Sequence, residues 1–276
     1  MRVAVIGHVE HITLGRVPAV PRAGEIAHLE SPRSFPGGGG GIAFFQLSRS
    51  AAEILLYTAL GQDDAAAQVR ERLSRTGARI FAARRPAAHT RDVVMITPDG
   101  ERTIVVVGEP LHPERNDDLP WDALATCDAA YFTAQDPAAL AAARAARVLL
   151  VTARRRPALL RSGVRADVVV GSAADPRERC TLDDFPPSQR PAALVLTEGA
   201  AGGVVHADGG AQRFPAPQRR PEGGGAYGAG DSFAGALTYF LAAGLPVLEA
   251  CVRAGPHGAA VLGALDPLDA QLPLHG

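Results

Sequence analysis

The stretch GAYGAGDSFAGAL, residues 225–237, sets Gly228, Ala229 and Gly230 directly before Asp231 and then opens an apolar run. Phe233, Leu237, Phe240 and Leu241 recur at helical intervals, and Gly244 and Pro246 punctuate the end of the run. A helix N-terminus presents unpaired backbone N–H groups and about half a positive charge, so it suits a phosphate. Glycines remove the side chains that would block close approach. Asp231 at that mouth admits two readings. It could satisfy the first-turn amides, or it could act as a general base for a hydroxyl beside an anion hole. Position alone does not choose between them. A dinucleotide fingerprint is excluded, because its third glycine would fall on Phe233.

A turn of this kind needs a strand to enter it and a sheet behind it. Short apolar runs at 2–7, 53–60, 128–133, 147–152, 166–171 and 192–197 read as strands, and 41–50, 64–77 and 137–146 read as helices. That alternation predicts an α/β fold with a mostly parallel sheet covered on both faces. Residues 9–35 and 89–108 break the pattern and read as strands without intervening helices. Asp99-Gly100 marks a hairpin turn in the second of these segments. Together they predict a small antiparallel flap that serves as a substrate lid on one domain spanning 1–276.

Composition removes several classes of function. The formal net charge of −1 leaves no footprint for nucleic acid or an anionic membrane. The run Arg154-Arg155-Arg156 reads as solvated surface. All 28 residues counted as Lys or Arg are arginine, so a Walker A loop and a protein-kinase site, which each need a lysine, are excluded. Cys127, Cys180 and Cys251 are scattered and odd in number, and read as reduced, buried thiols. His8 and His11, three apart in an extended stretch, make a poor metal pair. With RVAVIG opening as a strand and no long apolar stretch, the expected location is cytoplasmic.

GAGDSFAGAL resembles the C-terminal signature of the ribokinase-like, or PfkB, family of carbohydrate kinases. Five further segments resemble that family in its own order. They are PRAGEIAH (21–28), PGGGGGIAFFQLSRS (36–50), ALGQDDAAAQVRERLSRTGARI (59–80), HTRDVVMITPDGERTI (89–104) and LTEGAAGG (196–203). The resemblance implies a ribokinase-like three-layer sandwich with a small β lid, and ATP-dependent phosphoryl transfer to a sugar or sugar-like alcohol with Mg²⁺. It implies that Asp231 is the base and that Gly228, Ala229 and Gly230 form the anion hole. Thr197, Gly199 and Gly202 would hold the nucleotide, and Glu10, Gly37, Gly38 and Gly39 the acceptor. Lid strands of this kind pair between subunits, which implies a homodimer.

Three departures carry consequences. The family's N-x-x-E, tied to Mg²⁺ and phosphate, corresponds to Ser172-Ala173-Ala174-Asp175, which makes Asp175 the metal candidate and Ser172 its neighbour at the nucleotide. Gly225 replaces the acidic residue three positions before Gly228, which argues against K⁺ activation. Gly41 or Ile42 stands where the glycine segment of the family carries an Asn, so the acceptor pocket has lost a hydrogen-bonding group. Two alternatives stay open. A nucleoside kinase of the same fold would want lid aromatics, of which 9–35 offers Phe35 with His11 and His28. A non-catalytic ligand-binding protein on this scaffold would explain the lost polar groups.

Overall fold

Most strand runs are apolar at successive positions, so both faces of the sheet they build must be covered. The computed structural model describes residues 1–217 and 225–275. Its strands are β1 (Arg2–Ile6), β2 (Glu10–Arg16), β3 (Glu30–Gly37), β4 (Glu53–Leu60), β5 (Arg79–Arg84), β6 (Arg91–Ile96) and β7 (Arg102–Val107). They continue as β8 (Ala129–Phe132), β9 (Val148–Thr152), β10 (Val168–Ser172), β11 (Ala193–Thr197), β12 (Gly203–Ala207) and β13 (Gly210–Phe214). The principal helices are α1 (Gly38–Leu47), α2 (Asp64–Ser74), α3 (Pro137–Ala143), α4 (Arg156–Ser162), α5 (Ala229–Ala242) and α6 (Val247–Ala260).

Nine strands form the main sheet in the order β13-β12-β11-β10-β9-β8-β1-β4-β5. The seven from β11 to β5 are parallel, and β12 and β13 add an antiparallel edge. Alternate residues of each strand feed opposite cores. Val3 and Val5 join Phe44 of α1 with Phe233 and Leu237 of α5, whereas Ala4 and Ile6 join Trp121, Leu140 and Leu159 on the other side. Tyr57 ties the second core to its cover: it stacks on Trp121 at 5.3 Å and donates a hydrogen bond to the Pro120 carbonyl at 2.9 Å. This is the α/β fold class with a mostly parallel central sheet that the run pattern implies. No helix among the described residues is long and apolar enough to cross a membrane.

The second sheet has the order β3-β2-β6-β7. The expected flap is antiparallel throughout, and the structure differs. β2–β3 and β6–β7 are antiparallel, but β2 and β6 run parallel, because the chain passes through the main sheet between them instead of turning back. The Asp99-Gly100 turn forms as read, with Gly100 at φ 84 and its amide bonded to the Thr97 carbonyl. Strands β5, β12 and β13, and helix α6 with Pro256 inside it, are elements the run pattern does not mark.

Helices α1 and α5 meet through glycine. A methyl on Gly235 would lie 2.7 Å from the Ala43 carbonyl oxygen and 3.2 Å from its Cα, both backbone atoms that cannot turn aside. Gly235→Ala is therefore expected to push α5 off α1 at a cost of about 1–3 kcal/mol. Urea unfolding of the two proteins checks this, and an unchanged midpoint would contradict it.

Candidate active site

In an open parallel sheet, ligands bind beyond the carboxyl ends of the strands, where the strand order reverses. Here the chain builds β1, β4 and β5 on one side and then returns to build β8 to β11 on the other, so the reversal lies between β1 and β8. The Gly7-His8-Val9 turn leaves β1 at that point, and Glu10 opens β2 directly opposite Gly37. Helix α1 then starts at Gly38 and packs tightly on the turn: a methyl on Gly40 would lie 2.6 Å from the His8 carbonyl oxygen. Glu10, Gly37 and Gly38 are thus brought together by sheet register. A methyl on Gly38 would stand 3.0 Å from Glu10 Oε2.

Gly39 is the meeting point. A methyl there would lie 3.0 Å from Thr133 Oγ1, 3.2 Å from Asp231 Oδ1 and 3.5 Å from His8 Cε1, so three side chains converge where only hydrogen fits. The Gly39 amide donates to His8 Nε2 at 3.2 Å, which leaves the ring proton on Nδ1. Burial, with the nearby Arg155 charge, pushes His8 down to about 3. His8 meets His112 edge to face at 5.0 Å, and both ring nitrogens of His112 lack partners among the described residues. Glu10 is pushed up to about 9 by burial and then by its carboxylate neighbour Asp92, so the two buried acids hold a proton between them. Arg155 leans into the same space and donates through Nε to the Thr133 carbonyl at 2.9 Å.

On the other side, Gly228 adopts φ 79, a left-handed conformation that glycine takes without strain, and α5 begins at Ala229. The amides of Gly230 and Asp231 lie in its first turn and have no intrahelical acceptor. Asp231 does not cap them, for its carboxylate accepts no backbone hydrogen bond among the described residues. Burial pushes the Asp231 carboxyl up to about 6, Glu178 adds to the rise, and Arg154 and Arg102 oppose it. A methyl on Gly230 would meet nothing within 4 Å among the described residues.

Ser172 and Thr197 are register partners at the ends of β10 and β11. The Ala173 amide donates to the Thr197 carbonyl at 2.9 Å. Gly199, at φ 57, faces open space. Gly202, at φ 87, closes the turn by donating its amide to the Gly199 carbonyl, while its own carbonyl accepts the Glu198 amide at 2.7 Å. These nucleotide candidates therefore share one rim, two strands along from the acceptor candidates.

The Arg154-Arg155-Arg156 run is not solvated surface, as its composition implies, because it follows β9 and falls inside the site. Arg154 donates to Asp175 Oδ2 at 2.5 Å and, through Nε and Nη2, to Glu178 Oε1 at 3.0 and 2.8 Å. The second oxygens of both acids are also taken: Asp175 Oδ1 accepts the Arg177 amide and Glu178 Oε2 the Ser172 amide, each at 2.9 Å. Carboxylate oxygens are the donors Mg²⁺ prefers, but the Arg154 guanidinium already bridges these two acids, and its positive charge would repel a cation placed between them. The residues as placed do not fit direct coordination of Mg²⁺ by Asp175. Glu178, Arg154, Arg155, Thr133, His8, His112 and Asp92 were not read as site residues from the sequence. The one available signal for the arginines was their place directly after a parallel strand.

Comparison with known proteins agrees with this architecture. Residues 184–267 match the sequence profile of the pfkB family carbohydrate kinases. No curated protein matches the chain. Among solved structures, ribokinase from Thermotoga maritima superposes with a TM-score of 0.77 at 16% identity, over 98% of this chain and 96% of that one. Adenosine kinase from Sinorhizobium meliloti gives 0.77 at 15% identity, over 96% and 94% of the two chains. A microbiome-derived acarbose kinase gives 0.79 at 20% identity, over 95% and 92%. Fold and signature agree: the chain has the ribokinase fold, and its residues 184–267 match the pfkB family of carbohydrate kinases.

Proposed function

We propose that the protein transfers the γ-phosphoryl group of ATP to a hydroxyl of a sugar or sugar-like alcohol, with Asp231 as general base. The observation that carries this reading is the state of Asp231. Its carboxylate leaves the first-turn amides free, converges with Gly39, Thr133 and His8, and has its pKa raised to about 6 chiefly by burial. A base poised there is ionised at neutral pH yet more basic than an ordinary aspartate. Glu10 and Asp92, holding one proton, can both accept from and donate to vicinal hydroxyls while Gly37 to Gly39 let the ring approach. The open amides of Gly230 and Asp231, led by Gly228 and Ala229, would take the developing negative charge. ATP supplies the phosphoryl group, and Ser172, Thr197, Gly199 and Gly202 would hold its phosphates and ribose along the β10–β11 rim. Mg²⁺ would enter with the nucleotide, since the Arg154 guanidinium already takes the place between Asp175 and Glu178.

A sugar fits better than a nucleoside. Phe35, the one phenylalanine in the first lid segment, is 2% exposed and packs edge-on to Tyr227 at 6.0 Å, so it offers no face to a base. A non-catalytic role would not call for an uncapped acid at the mouth of α5. The four-stranded sheet is the proposed lid. Its edge strand β7 shows Val105, Val106 and Val107 at 47, 48 and 50% exposure, an apolar edge suited to pairing with a second copy. Val106→Lys is expected to convert a dimer to a monomer in light scattering, and a monomeric wild type would remove the dimer.

Asp231→Asn should lower kcat by at least about 10²-fold with little change in KM. Wild-type kcat should rise with pH through a midpoint near 6 as Asp231 ionises. Stability gives an independent check. A carboxyl with its folded pKa raised binds protons more tightly when folded, so its ionisation costs stability from about 3.8 to about 6 and beyond. The Asn variant should therefore melt higher than wild type at pH 8 and level with it below about pH 4. Retained turnover in the variant would refute the mechanism. Gly230→Ala should stabilise the free protein by about 0.5–1 kcal/mol, because the methyl meets open space and alanine favours a helix. The same methyl would stand where the phosphate approaches, so ADP affinity measured by calorimetry should fall. An unchanged affinity would place the phosphate elsewhere.

A further inference from the structure

Arg154 stands between the two halves of the site. The acceptor candidates follow β1 and β8, the nucleotide candidates follow β10 and β11, and β9, whose end carries Arg154, lies between β8 and β10 in the sheet. In the strand order this position lies between the two sets of candidates. The guanidinium is fixed from behind: Nε and Nη2 make three bonds to Asp175 and Glu178, while Nη1 makes none to the described residues. Such an arginine has lost most of its conformational freedom and keeps one edge of its fork for a further acceptor, which suits phosphate. Its charge also acts at Asp231, which it favours in the ionised form against Glu178. In a chain without lysine, a guanidinium has to supply any fixed side-chain cation of full strength at that point.

We propose that Arg154 binds the transferring phosphoryl group through Nη1, and that Asp175 and Glu178 position this arginine instead of coordinating a metal. The proposal rests on the kinase reading above and deepens it. It adds a protein-borne cation at the point of transfer and reassigns two acids that sequence spacing would give to Mg²⁺.

The experiment is calorimetric binding of ADP and of a non-hydrolysable ATP analogue, each with and without Mg²⁺, to the wild type, Arg154→Gln and Arg154→Lys. Loss of a charge-assisted bond should weaken the analogue by about 10–100-fold in Arg154→Gln, and ADP by clearly less. Arg154→Lys keeps the charge, and so the fold, should Gln leave the acids unpaired and unfold the protein. Its ammonium cannot bridge both acids and still reach the phosphate, so it too should bind the analogue more weakly. Mg²⁺ alone should give no binding heat with the wild type. Glu178→Gln keeps the acceptor geometry but not the charge. It should move the kcat–pH midpoint below that of the wild type, a shift that a merely structural role would not produce.

Wild-type-like analogue binding by folded Arg154→Gln overturns the assignment. So does an equal loss for ADP and the analogue, which would place the contact on a phosphate that is not transferred. Binding of Mg²⁺ alone that disappears in Asp175→Asn would show the acids to be metal ligands. Failure of the wild type to bind either nucleotide would overturn the kinase reading itself, and this inference with it.

Discussion

The parallel run of seven strands is the constraint from which the site follows. Every connection out of those strands opens on one edge, and the chain places its first-formed strand, β1, in the middle of the order. The turns after β1 and β8 diverge at that point and leave a cleft that no crossover helix covers. Helix α5 closes its floor, reaching across β1, β8, β9 and β10. Glycine permits the fit at each contact. Gly40 admits the His8 carbonyl, Gly39 admits three side chains, and Gly235 lets α1 and α5 touch backbone to backbone.

That packing buries acids. Asp231, Glu10 and Asp92 are all pushed upward by loss of water, and the protein answers each burial differently. Glu10 and Asp92 share a proton. Asp231 is raised to about 6, with Glu178 adding to the rise and the charges of Arg154 and Arg102 opposing it. Asp175 and Glu178 share the one positive charge of the Arg154 guanidinium. The histidines His8 and His112 are forced the opposite way and stay neutral, so they line the acceptor side as hydrogen-bonding groups without charge. The cleft thus sets neutral histidines on one side and the Arg154 guanidinium with its two acids on the other.

The sheet, the glycine turn and Asp231 were legible in the sequence because each rests on local pattern: apolar runs, a positive-φ glycine, and a helix beginning with unpaired amides. Sheet register was not legible, and it decides the rest. The β2–β6 pairing joins residues about 80 apart in sequence, so no hairpin signal announces it, and Asp92 reaches Glu10 only through it. Counting N-x-x-E from Ser172 arrives at Asp175, yet the loop folds back so that Glu178 takes the Ser172 amide. Charge alone labels Arg154 and Arg155 as surface. Their neighbours in space come from β8 and β10, and neither can be read from a run of three arginines.

A site whose cations are all guanidinium carries a chemical immunity. Side-chain amines attack acetyl donors, aldehydes and reducing sugars, and this sequence has no lysine to supply such an amine, because every basic residue besides histidine is arginine. Arg154 and Arg155 keep their charge at any physiological pH and offer no amine for Schiff-base formation or for regulatory acylation. The same composition closes one route of control to the cell: the charge of Arg154 cannot be switched off by modifying lysine.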